Sequence, residues 1–122
     1  MHILSIFFGG GIGAVLRYIC SVLSKKYLLS AIFGTFFVNI LGCFLLGYIF
    51  GLTLNKIDVM PQALKLCITV GFLGGLTTFS TFNLEVFEMI RTGKIFNGFL
   101  YMFLSLGTGL LFTYLGYVIS NN

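Results

Sequence analysis

Charge is what this chain has least of. Only 8% of its 122 residues are Asp, Glu, Lys or Arg, against about 25% in a soluble globular domain, and just 3 of them are acidic. A water-facing surface cannot be built from that supply. Histidine occurs once, as His2 at the terminus, and Cys20, Cys43 and Cys67 stand singly within apolar stretches with no histidine beside them. That pattern offers neither zinc spacing nor a disulfide framework, so the thiols read as small buried hydrophobes. No nucleophile, base and orienting group occur together, which argues against an enzyme. The net charge of +4 lacks the continuous basic face that nucleic acid requires, so no nucleic-acid partner is expected and the basic residues read as juxtamembrane. No basic region precedes Ile3, and Arg17 interrupts the first apolar stretch. A retained span is therefore expected there rather than a removable signal peptide.

What the chain does have is apolar length. Hydrophobic residues make up 58% of it, and they fall into stretches of about 3–23, 30–54, 62–90 and 95–120. A bilayer core needs about 20 helical residues per crossing, so these stretches account for four spans and leave only short loops. The single proline, Pro61, ends the polar stretch 55–61 at the expected first-turn position of the next helix. The expectation is an all-α protein with one four-span domain over residues 1–122, multi-pass in the cell membrane with lipid around it. Lys25, Lys26, Arg91 and Lys94 fall on one side, and Lys56 and Lys65 on the other. That weak bias suits either a small protein of one orientation or insertion both ways. Four such helices can hardly enclose a private pathway, so a homodimer is expected. Gly9 with Gly13, Gly47 with Gly51, and Gly71 with Gly75 are spaced for close helix packing.

The third stretch is the most informative. Gly71, Phe72, Leu73, Gly74, Gly75, Leu76, Thr77, Thr78, Phe79, Ser80, Thr81 and Phe82 combine glycines with hydroxyls that divert backbone hydrogen bonds. The pattern predicts a break near 71–78 between half-helices at 62–70 and 78–90; a plain packing kink is the alternative. Open backbone inside a membrane is tolerated only where protein buries it or it lines a cavity, and such breaks bring carbonyls to ion sites. Phe79 and Phe82, three apart, are expected on one face, where their electron-poor ring edges can meet an anion.

Asn39 stands alone in the uncharged second stretch, with Thr35 one turn before it. Its amide must bond another helix or a passing group, and its NH2 can donate to an anion. Tyr101, Ser105, Gly109 and Thr113 recur every four residues as a polar and small stripe, readable as interhelical glue or as donors along a route. Arg17 lies well inside the first stretch, where a charge is a functional candidate unless it snorkels to the Lys25 end. Glu85, three beyond Phe82, can share the face of that ring.

These residues resemble the fluoride channels of the CrcB/Fluc type. The resemblance rests on Gly10 to Arg17 (GGIGAVLR), Gly34 to Gly42 (GTFFVNILG) and Gly71 to Phe82 (GFLGGLTTFSTF), the last being the most specific. It implies an antiparallel, dual-topology homodimer with two pores that passively release fluoride from the cytoplasm. It also implies fluoride-facing ring edges from Phe79 and Phe82, and a pathway that includes Asn39, Tyr101, Ser105 and Thr113; Thr35, Ser80, Thr81 and Glu85 are expected on the same pathway from their places beside these residues. Arg17 would sit near the aqueous vestibule. A structural sodium ion at the dimer axis would be held by the backbone carbonyls of Gly74 and Thr77, two from each subunit. Gly109 departs from the family, some members of which carry serine there. A small dual-topology multidrug-type exporter is the alternative, although such exporters carry a glutamate on the first helix where this chain has Arg17 and no carboxylate.

Overall fold

The computed structural model describes residues 1–54 and 60–122; Lys56, used above in weighing orientation, lies outside them. Helix α1 spans His2–Leu28. It continues past the apolar boundary at residue 23 because Lys25 and Lys26 fall in its last turn, where cations complement the helix dipole. It stops at Leu29, whose φ of 62° is left-handed. Ser24 then ties the corner: its hydroxyl donates to the Ser30 carbonyl (2.6 Å) and accepts from the Gly34 amide (2.9 Å). The chain reverses there into α2, Ile32–Leu54.

The third span covers Gln62–Arg91 and is not one regular helix. Pro61 sits just ahead of α3, Gln62–Leu66, one residue earlier than the first-turn position expected for it. A π-helical stretch, Cys67–Leu73, follows, then the single turn α4, Gly74–Leu76. Thr77 is extended (ψ 157°), and α5 resumes at Ser80–Arg91. The irregularity thus starts four residues before the expected break at 71 and the second half-helix starts two residues after Thr78. Hydroxyls that bond backwards accompany it: Thr69 donates to the Lys65 carbonyl (2.8 Å) and Thr77 to the Leu73 carbonyl (2.9 Å), a habit that bends helices. After Gly93 at φ 85°, α6 runs Ile95–Asn121.

The glycine pairs do their packing inside the chain. A Cβ on Gly9 or Gly13 would run into the carbonyls of Cys67 and Phe72, and one on Gly75 into the carbonyl of Gly10, so α1 lies backbone to backbone against the third span. In the same way a Cβ on Gly47 would meet the Thr113 carbonyl and one on Gly116 the Phe44 carbonyl, which brings α2 along α6. Two small cores result, Val38 with Leu73 and Leu76, and Phe82 with Val86 and Tyr101. The outside is apolar along every span, with Phe7, Tyr18, Phe37, Phe103 and Leu110 among many exposed side chains. Such a surface is stable only in lipid, and the four spans are long and apolar enough to cross a bilayer. This is a multi-pass, all-helical membrane protein whose third span is bent.

Candidate functional site

The bend opens a cavity of about 370 Å³ between α2, the third span and α6. From α2 it receives Asn39 and Cys43; from the third span Thr69, Gly74, Thr77, Thr78, Phe79 and Phe82; from α6 Ser105 and Thr113.

Asn39 is a clamp on the break. Its Nδ2 donates to the Thr78 carbonyl (3.1 Å) and its Oδ1 accepts the Thr78 amide (2.8 Å). The amide therefore bonds another helix while keeping one N–H for whatever enters the cavity. Diverting the Thr78 amide has a consequence for Gly74, whose carbonyl would have received that N–H in a continuous helix. The same happens at Thr77. Its helical donor would be the amide of Thr81, which instead donates to Thr78 Oγ1 (3.2 Å). Side chains have thus stripped the helical donors from two carbonyls, and a Cβ on Gly74 would meet nothing within 4 Å. Carbonyl oxygens that have lost their helical donors suit a hard cation.

Phe79 and Phe82 both line the cavity, with ring centroids 6.2 Å apart, yet they are not equivalent. Phe79 precedes α5 and is 74% exposed, whereas Phe82 is 6% exposed. The i, i+3 rule treats both as helical, and only Phe82 is. Phe82 also stands edge-on to Tyr101 at 5.2 Å.

Behind Phe82 lies a second cluster. Thr35 Oγ1 donates to Glu85 Oε1 (2.6 Å) and the Tyr101 hydroxyl donates to Glu85 Oε2 (2.8 Å). Thr35 thus turns to Glu85 while Asn39, one turn on, turns to Thr78. Ser80 and Thr81 are exposed at the start of α5 and do not line the cavity. Thr113 lines it but donates to the Gly109 carbonyl (2.9 Å). Ser105 Oγ is buried with no hydrogen-bond partner among the described residues. Arg17 is half-buried on α1, away from the residues that line the cavity. Thr78 is what sequence reasoning passed over: its backbone meets Asn39 and its hydroxyl accepts the Thr81 amide near the start of α5.

A sequence model described as CrcB-like protein, Camphor Resistance (CrcB), matches residues 4–117. The chain belongs to the CrcB family. It is 42% identical over 118 residues to a protein of Aquifex aeolicus named fluoride-specific ion channel FluC, with 93% of this chain and 92% of that one covered. Proteins of the same name from Desulfotalea psychrophila and Pyrococcus furiosus are 36% and 40% identical, covering 99% and 92% of this chain and 93% and 89% of their own. The CrcB match reaches from the first span into the fourth, so the clamp, the bent span and the cavity all fall within it.

Proposed function

We propose that this chain is a fluoride-selective channel that lets fluoride leave the cytoplasm passively. Fluoride enters cells as HF, loses its proton in the more alkaline interior and is trapped as the anion, so a passive path relieves its toxicity. The reading is supported above all by the CrcB match and by relatives named for fluoride conduction, and by a cavity whose lining includes the Asn39 amide, the Ser105 hydroxyl and the rings of Phe79 and Phe82. Fluoride is small and strongly hydrated. Donors must replace its water shell without a fixed positive charge that would hold the ion in place. In the proposed path the free Asn39 N–H, the Ser105 hydroxyl and the edges of Phe79 and Phe82 make those replacements. Thr113 lines the same path. Thr35 and Tyr101 join it through Glu85, which sets where their hydroxyl protons point. Arg17 serves the approach from water, where its charge draws anions. The multidrug-type exporter is not supported by the family match.

The working unit in this reading is an antiparallel homodimer of dual topology. The exposed Phe79 at the cavity mouth, together with Ser80 and Thr81 beside it, would be covered by the second copy. The carbonyls of Gly74 and Thr77, two from each subunit, would hold a sodium ion whose part is to join the two broken spans. A crystal grown with a heavier monovalent substitute is expected to show an anomalous peak between these carbonyls; water or empty space there would refute the assignment.

Conduction itself is tested in liposomes. The purified protein is expected to release fluoride electrogenically and to retain chloride, and equal release of both would sink the proposal. Phe79→Ile and Phe82→Ile are each expected to cut fluoride release by about tenfold, since an aromatic edge contributes up to about 1.5 kcal/mol beyond its area. The variants should still elute as the wild-type species. Unchanged flux would make the two rings packing residues.

A further inference from the structure

Counting the hydrogens that the cavity can give to an anion leaves very few. Thr69, Thr77 and Thr113 each donate to a carbonyl of their own helix (2.8, 2.9 and 2.9 Å). One Asn39 N–H is held by the Thr78 carbonyl. The Thr78 hydroxyl has Ser80 Oγ at 3.5 Å as its neighbour. Beyond these the lining holds the other Asn39 N–H, the buried Ser105 hydroxyl and the thiol of Cys43. It is a free cysteine, half-buried, and it lines the cavity.

Its position has a specific logic. Cys43 lies one turn beyond Asn39 on α2, and Gly109 lies one turn beyond Ser105 on α6. A Cβ built on Gly109 would find Cys43 Sγ at 3.4 Å and no other atom within 4 Å. The sulfur therefore covers the spot where a side chain at 109 would begin, and that is the position at which the polar stripe of α6 is interrupted. We propose that Cys43 belongs to the anion path of this chain, its S–H replacing the donor missing at Gly109, which leaves conduction open to block by thiol-binding metal ions. A thiol is a weak donor and is neutral in this role. Its sulfur is also polarisable, so it can lie beside a moving anion without holding it.

The proposal rests on the fluoride reading, and one set of liposomes separates the two. The background is Cys20→Ala with Cys67→Ala, leaving Cys43 as the single thiol. Mercuric chloride reacts with it as Cys–SH + HgCl2 → Cys–S–HgCl + HCl, which places a bulky group in the cavity. Fluoride release is expected to fall by about tenfold as the pore is filled, and to recover when dithiothreitol strips the mercury. Intact mass confirms one adduct. Adding Cys43→Ser, which keeps a donor at this position but no thiol, should make release indifferent to mercury and hold it above that of the alanine variant. Adding Cys43→Ala should lower untreated release by about two- to fivefold, the scale of a weak hydrogen bond. Full conduction despite a confirmed adduct, or equal conduction by the alanine and serine variants, would overturn the proposal alone. Untreated wild-type liposomes that pass no fluoride would overturn the functional reading and this proposal with it.

Discussion

Asn39→Asp is expected to lower fluoride release by at least about 100-fold while keeping one of the two bonds that Asn39 makes to Thr78. The side chain is isosteric, and its carboxylate can still accept the Thr78 amide that Asn39 Oδ1 accepts at 2.8 Å. What it loses is the Nδ2–H that donates to the Thr78 carbonyl at 3.1 Å, together with the free N–H, because a carboxylate only accepts; what it adds is a charge beside the cavity. Two like charges about 4 Å apart repel by about 4 kcal/mol at an effective dielectric near 20, enough to empty an anion path. Asn39→Ala makes the complementary change. It removes both bonds to Thr78 and leaves a backbone N–H and C=O unpartnered in the break, at a cost of about 2–4 kcal/mol. The alanine protein is expected to melt earlier in detergent and to conduct poorly, because Thr78 is free to return its amide to Gly74. Thermal melting and liposome efflux, measured together on both variants, distinguish a clamp from a pathway residue. Asp with wild-type conduction would make Asn39 a clamp only. Ala with wild-type melting would remove the clamp.

How much of this was legible in the sequence depended on whether the deciding interaction was local. The spans were legible because hydropathy is a sum over neighbours, and the bend was legible because glycines and hydroxyls act on their own backbone. Its start was missed by four residues. The π-helical stretch from Cys67 coincides with Thr69 bonding back to Lys65 and with Gly71 pressed onto α1, and the second of these comes from another helix. Thr35 and Asn39 share a helix face by spacing, yet they serve different partners, Glu85 and Thr78. Those partners lie 50 and 39 residues away in sequence, and no periodicity in α2 encodes them. Cys43 reads as filler from sequence for the same reason. The place of its sulfur against Gly109 is set across the helix contact, not by its apolar neighbours.

The glycines of α1 give the second large effect. Gly13→Ala is expected to lower sharply the fraction of protein that survives heating as a single species, although alanine is the better helix former by about 1 kcal/mol. The added Cβ would overlap the Phe72 carbonyl and stand 2.8 Å from the Leu76 amide. Both obstacles are backbone, so no rotamer change relieves them, and α1 must back away from the third span. Overpacking of this kind costs about 1–3 kcal/mol, occasionally more. Here it also pulls on the segment that leads into the break, so the upper end is expected. Set against a total stability of about 5–15 kcal/mol, the loss is large. Gly11, two residues earlier on the same helix, supplies the control, because a Cβ there would meet nothing within 4 Å. Gly11→Ala should therefore equal or exceed the wild type in the fraction that survives heating as a single species on size exclusion. If Gly13→Ala survives equally well, the close crossing of α1 on the third span is wrong, and with it the account of what holds the bent span in place.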